Sequence, residues 1–214
     1  VKISVVIPTI SGREEVYSRC HNAYRALRAG PHELEIIAEY GHKSVGLAWQ
    51  AGAMKATGDY IHLGNDDCEP RDGWWRYAIE AVEMGCLPSP QVYTADGIPQ
   101  GLPVWGSVAP DWSVVTCCLI PFMSRVQWER IQPLFTAHYY TDNFITERAR
   151  QAGWPCVLRT GYAFTHWWAQ PGRGAGMSES DRMTSDERLY QHALAEVAAG
   201  RWEAPWPANG GAPS

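Results

Sequence analysis

The chain lacks an excess of basic residues: 18 Lys and Arg stand against 23 Asp and Glu, for a net charge of −5. That withholds the field with which nucleic-acid binders hold phosphate backbones, so a DNA or RNA partner is not expected unless a local basic groove supplies one. There is no apolar run near the ~18–20 residues that cross a bilayer. The sequence enters a strand-like run at once, without a basic leader and apolar signal core, so no membrane span and a cytoplasmic location are expected. The six cysteines (Cys20, Cys68, Cys86, Cys117, Cys118 and Cys156) form no C-x-x-C pair and no zinc spacing, which favours free buried thiols. No P-loop and no G-x-G-x-x-G is present, so an ATPase or a dehydrogenase would lack its phosphate cradle.

What the chain has is apolar and aromatic. Hydrophobic residues make up 45% of its 214 positions and charged residues 19%, enough for a full core and against global disorder. Length suits a single domain, expected over residues 1–200, with a loose tail over residues 201–214. Eleven tryptophans and ten tyrosines are many for this size. Such rings fill cores, and they also serve as flat platforms in carbohydrate and nucleotide sites.

Residues 2–8 (KISVVIP) and 34–39 (LEIIAE) read as buried strands, and residues 59–63 (DYIHL) as a third. Between them Val16, Cys20, Ala23, Tyr24 and Leu27 recur at helical spacing, as do Leu47, Ala51 and Met54. This β-α-β-α-β order is that of a parallel sheet covered by helices, and such sheets bind ligands outside the carboxyl ends of their strands. Further on, residues 73–85 and 141–153 read as helices, the latter capped by Thr141 and stopped by Gly153. A helix from Ser124 to Leu134 and a final amphipathic one over residues 185–199 are also expected. Strands are expected over residues 113–122 and 156–160, and the Pro- and Gly-rich residues 87–110 read as loops with short strands.

The third strand runs into Gly64, Asn65, Asp66 and Asp67. Adjacent carboxylates repel, so a chain needing only a turn would rarely place them together. Hard oxygen ligands suit a divalent cation, which takes one or two carboxylates and completes its shell with substrate phosphates. The plain alternative is an acidic turn.

The series SVVIPT, EIIAE, GLAWQAGAMKATGDYIHLGNDDCEP and YYTDNFITERARQAGW, over roughly residues 2–170, resembles the family-2-like glycosyltransferases of the GT-A fold. The resemblance implies an α/β, Rossmann-like, mostly parallel sheet flanked by helices, with residues 1–70 as the nucleotide-binding half and 71–200 as the acceptor-binding half. It implies a DxD-like motif at Asp66 and Asp67 holding Mn2+ or Mg2+ against a nucleotide-sugar diphosphate, UDP-sugar favoured, with His166 as an additional ligand. Asp66 is favoured as the main acid, with Asp67 close behind. Gly64 departs from the family, which commonly has aspartate there.

By the same resemblance Asp142 is the general base of an inverting transfer, although an acid there also stabilises its helix. Pro8, Thr9, Ser11, Glu39, Lys43, Gln50, Asn65 and Asp66 are the candidates for nucleotide-sugar binding. Tyr139, Tyr140 and Trp167 are those for the acceptor. Trp167 and Trp168 are expected either to stack on a sugar face or to form the wall of a lid, and Arg173, in a glycine-rich loop, either to reach the diphosphate or, the favoured reading, to be a solvated surface group. Arg148 is expected to brace its helix, and the acceptor itself stays open. Two other readings remain: a non-catalytic GT-A relic that binds nucleotide or carbohydrate, and a sugar nucleotidyltransferase. The latter usually carries a glycine- and arginine-rich loop, where this chain has only Gly12 and Arg13.

Overall fold

Residues 3–7 are all buried, so the first strand must lie inside a sheet covered on both faces. The computed structural model, which describes residues 1–100, 104–134, 137, 139–167 and 179–201, places it there. In chain order the elements are β1 (Lys2–Thr9), α1 (Glu14–Leu27), β2 (Glu33–Tyr40), α2 (Val45–Lys55), β3 (Tyr60–Leu63), β4 (Cys68–Pro70), α3 (Trp74–Glu83) and β5 (Leu87–Thr94). They continue with β6 (Pro99–Gln100), β7 (Val104–Ala109), β8 (Trp112–Val115), β9 (Phe122–Ser124), α4 (Arg125–Ile131), α5 (Thr141–Gln151), β10 (Cys156–His166) and α6 (Glu179–Ala198).

One sheet has the order β2-β1-β3-β9, with β1 parallel to both neighbours and β9 antiparallel to β3. Alternation along β1 divides the core into two layers. Ile3, Val5 and Ile7 join Cys20 and Tyr24 of α1, Trp74 and Ala78 of α3, and Phe164 of β10. Val6 joins Trp49 and Ala53 of α2, Trp128 and Ile131 of α4, and Ile145 and Ala149 of α5. A second sheet runs β6-β5-β10-β8-β7, and β4 pairs antiparallel with β10, stitching the chain just after β3 onto that sheet. Helix α6 lays Ala193 and Val197 on Phe144 of α5.

Several local expectations change. Helix α2 buries Gly46, Ala48, Trp49, Gly52 and Ala53 rather than the Leu47, Ala51 and Met54 face, and Met54 is 71% exposed. Small residues decide this, because the helix lies so close to the sheet that a Cβ on Gly52 would stand 2.2 Å from Val6 Cγ1. Residues 113–122 are not one strand: β8 ends at Val115 and β9 begins at Phe122, with Ile120 between them at φ 48°.

The proline-rich stretch contains an eight-residue strand, β5. The Leu87 N–H donates to the Pro155 carbonyl just before β10, so by alternation the ring nitrogens of Pro88 and Pro90 face the other edge. There β6 pairs only with Val92 and Tyr93, and no N–H is missed. Strand β10 continues through a bulge between Arg159 and Ala163 as far as His166. Helix α4 stops at Ile131, and α6 begins at Glu179, before the expected residue 185. Tyr140, not Thr141, occupies the cap position of α5, and the Thr141 hydroxyl donates to the Ala137 carbonyl instead.

Candidate active site

The carboxyl end of β3 is built around close backbone contacts. The Gly64 N–H donates to the Val6 carbonyl (2.9 Å), and the Gly64 carbonyl accepts the Trp49 indole N–H (2.7 Å). A Cβ on Gly64 would lie 3.1 Å from Tyr24 Oη, a tight contact that favours glycine at this turn. The Asn65 carbonyl then accepts the Cys68 N–H (3.3 Å) and the Cys20 thiol (3.2 Å), closing a turn. That turn aims its two acids in different directions.

Asp66 is buried and turns toward Arg13. The guanidinium Nε donates to Asp66 Oδ2 (2.9 Å) and Nη2 to Oδ1 (2.7 Å), the two-pronged geometry natural to this pair. Arg13 is at the cap position of α1, after a turn at Gly12 with φ 86°. Asp67 turns toward β10: its Oδ2 lies 3.6 Å from His166 Nε2 and 3.1 Å from Arg13 Nη2. The β4–β10 register sets this meeting by pairing His166 with Cys68, and the Trp167 N–H donates to the Asp67 carbonyl (2.9 Å). Burial alone would push the Asp67 carboxyl up, but the His166 contact and the Arg13 charge outweigh it and hold it below its usual range.

Asp67, Cys68 and His166 bring potential ligand atoms within 4.8 Å of one another. The Cys68 thiol is buried, and burial pushes its pKa well up, so it stays protonated. For a hard cation the oxygen and imidazole ligands of Asp67 and His166 are the suited pair. That pair fits a Mn2+- or Mg2+-type cation taking the rest of its shell from phosphate oxygens. Asp66, the acid favoured from the sequence, has both oxygens on Arg13, whereas Asp67 shares only Oδ2 with that guanidinium.

Asp142, in the first turn of α5, stands beside the segment joining β8 to β9. Its Oδ2 is 3.7 Å from Cys117 Sγ, and its Oδ1 accepts the Asn143 N–H (2.9 Å). The Thr146 hydroxyl links the Asp142 carbonyl to the Cys118 N–H, each at 2.8 Å. The same segment ends at Pro121, whose carbonyl accepts the Leu63 N–H (2.8 Å). The acid is thus tied to the edge where β3 delivers Gly64 to Asp67. Burial pushes the Asp142 carboxyl above its usual range, with the Asn143 N–H opposing. Two non-glycine residues with positive φ flank it, Ile120 and Tyr140 at 48° and 65°. Such backbone persists only where surrounding contacts impose it.

The nucleotide-binding candidates divide. Pro8 pairs in register with Glu39, and Thr9 with Tyr40, at the carboxyl ends of β1 and β2. Thr9 Oγ1 is buried with no hydrogen-bond partner among the described residues. Ser11 and Lys43 are exposed, and Asn65 is half-buried in the turn. Glu39 is buried, with one oxygen on Lys55 (2.7 Å) and the other on His42 (2.9 Å). Gln50 accepts the Leu134 N–H (2.8 Å), so it tethers the segment after α4.

Among the acceptor candidates, the Tyr140 ring stacks on Tyr190 of α6 (5.3 Å), and the Tyr139 N–H donates to Asp186 (3.0 Å). The guanidinium of Arg19 lies 4.3 Å over the Trp167 ring. Arg148, expected to brace its own helix, instead bonds the Arg130 and Ile131 carbonyls and so ties α5 to the end of α4. Trp168, Arg173 and their glycine-rich loop lie outside the described residues. The sequence reading missed Arg13 and Cys117. Arg13 was visible as the one cation between the first strand and its helix, but the fork it forms needs a partner 53 residues away.

No family model matches this sequence, and no curated protein does. Its fold does match solved structures of glycosyltransferases. The first is GalNAc-T7 with UDP, GalNAc and Mn2+, at a TM-score of 0.66 and 10% identity, covering 97% of this chain and 52% of that one. The second is TarS of S. aureus, at 0.63 and 12%, covering 95% and 41%. The chain has the GT-A fold. It spans about half the length of GalNAc-T7 and less of TarS, and at these identities the likeness is one of fold. Among the described residues no helix is long and apolar enough to cross a membrane.

Proposed function

We propose that this chain is a divalent-metal-dependent, inverting glycosyltransferase that moves a sugar from a nucleoside-diphosphate sugar, UDP-sugar favoured, to an acceptor hydroxyl. The observation that carries the reading is the pairing of β4 with β10, which lays His166 beside Asp67 at the carboxyl end of the parallel strands. GalNAc-T7, of similar fold, was solved with UDP and Mn2+, which supports the donor and metal classes. Inversion rests on the sequence resemblance.

Asp67 and His166 would hold the cation, which supplies Lewis-acid neutralisation of the departing diphosphate. The chain's own groups do the rest. Thr9 Oγ1, buried and unpartnered among the described residues, is available to bind a donor oxygen beside Pro8. Glu39 presents a buried carboxylate already held by Lys55 and His42, so a ribose or base group would share an oriented acceptor. Asp142 takes the proton from the acceptor hydroxyl at Oδ2, while Oδ1 stays on the Asn143 N–H. Desolvation makes it a stronger base than an exposed aspartate. Trp167 and Tyr139 border the acceptor side, with Tyr140 held against Tyr190.

The second reading, a donor-binding module without turnover, draws on Gly64 in place of an acid and on Arg13 occupying Asp66. A panel of nucleotide sugars with and without Mn2+, monitored for binding and for release of free nucleotide, separates the two. Manganese-dependent release from one donor, lost in Asp67→Asn and in Asp142→Asn, is the expected result. Donor binding without release in the presence of candidate acceptors supports the binding module. A folded sample that binds no nucleotide overturns both.

A further inference from the structure

Arg13 reaches from the start of α1 to both acids of the candidate site. Its Nη2 is shared, 2.7 Å from Asp66 Oδ1 and 3.1 Å from Asp67 Oδ2. That same Asp67 oxygen faces His166 Nε2 at 3.6 Å. One carboxylate oxygen therefore stands between a permanent cation and the imidazole. The side chains of Arg13, Asp66 and Asp67 are only 14%, 8% and 15% exposed, so solvent screens their charges weakly. A guanidinium does not lose its proton in a protein, and the fork on Asp66 fixes its position. Any divalent cation that meets Asp67 and His166 meets this charge as well.

We propose that Arg13 is a resident counter-cation that makes the site take up a divalent metal together with a diphosphate rather than alone. Before the donor arrives Arg13 balances the two carboxylates, so Asp67 offers a metal little uncompensated charge. A diphosphate brings its own negative oxygens and offsets the repulsion between Arg13 and the metal. Metal and nucleotide then raise each other's affinity by the same factor, as linkage requires. The inference rests on the metal–diphosphate reading above and adds the device that orders its assembly. Arg13 acts here through Asp67 as a positioning residue.

The test measures binding of Mn2+ alone to the full chain, by the free-Mn2+ resonance signal, and repeats it with saturating UDP. Wild type, Arg13→Gln and Arg13→Lys are compared, with far-UV circular dichroism as the check on folding. Wild type is expected to bind Mn2+ at least ~10-fold more tightly with UDP than without it. Arg13→Gln is expected to bind Mn2+ alone at least ~10-fold more tightly than wild type, which shrinks the UDP effect. Arg13→Lys, which keeps the charge, should stay close to wild type.

A folded Arg13→Gln whose affinity for Mn2+ alone is unchanged or weaker overturns the proposal and leaves the metal–diphosphate reading standing, provided wild type binds Mn2+ with UDP. Should the glutamine variant fail to fold, the wild-type pair of measurements still decides: equal Mn2+ affinity with and without UDP overturns the proposal. No Mn2+ binding by wild type even with UDP removes the metal–diphosphate reading, and the proposal with it.

Discussion

His62 lies two residues before Gly64, beneath the turn that carries the acids, and it is fully buried. The rings of Tyr24, Trp74, Phe122 and Phe164 surround it at 5.8, 5.1, 6.0 and 5.4 Å. Its Nε2 is 2.8 Å from the Tyr24 hydroxyl, and its Nδ1 is buried with no hydrogen-bond partner among the described residues. Burial pushes the imidazole from 6.5 down to about 3. Below about 6.5 the unfolded chain therefore binds a proton that the folded chain refuses, and acid favours unfolding. The contribution is intact above the unfolded value, declines by about 1.4 kcal/mol per pH unit below it, and levels off near the folded value.

Across that whole window the loss is on the order of 5 kcal/mol, comparable with the entire stability of a marginal domain. The assay is urea unfolding at pH 7, 6, 5 and 4 for wild type and for the double variant Tyr24→Phe/His62→Leu. The double variant removes both polar partners and so leaves neither unsatisfied. Other carboxylates titrate in both proteins, so the difference in slope is the quantity that matters. Wild type is expected to lose stability more steeply with acid by about 1.4 kcal/mol per pH unit between pH 6 and 4. Equal slopes would refute the reasoning, whatever the absolute stabilities.

Asp142→Asn is expected to lower kcat by roughly 10²–10⁴-fold with little change in donor affinity, read by steady-state kinetics beside donor titration. In wild type the acid limb of the rate profile is expected above the ordinary aspartate value of 3.8, with activity lost as pH falls through the value that burial raises. Gly52→Ala forces a methyl to within 2.2 Å of Val6 Cγ1, and a loss of about 1–3 kcal/mol in chemical denaturation checks this. Gly64→Asp adds a third acid beside Asp66 and Asp67, yet its Cβ would lie 3.1 Å from Tyr24 Oη in a buried place. A lower melting temperature with no gain in Mn2+ affinity is expected, and tighter metal binding at unchanged stability would contradict it.

How much of this was legible in the sequence depends on the range of the forces involved. Local periodicity sufficed for β1 and α1, because a strand buried on both faces must be apolar throughout and its crossover helix must carry a stripe; β2 forms where expected, but at the sheet edge it is only partly buried, with Glu39 its one buried residue. The order of these elements also placed the acids at the strand ends. Small residues misled on α2, where Leu47 and Met54 carry the hydrophobic signal but Gly52 and Ala53 permit the close approach. The prolines of β5 misled too, since only the sheet reveals that their side has little to pair with.

The acids illustrate the division most directly. The sequence by itself determined that Asp66 and Asp67 follow a buried strand in a β-α-β-α-β order of elements, and that Asp142 opens a helix. Which acid meets a cation-binding partner was decided by tertiary structure. Arg13 forks onto Asp66 from 53 positions away and also reaches Asp67, which the register of β4 on β10 brings to His166 as well. Adjacent side chains in one turn point apart, so their partners are set by strands and helices that only folding brings to them. Charge compensation acts over a few ångströms of space, and no spacing along the chain encodes it.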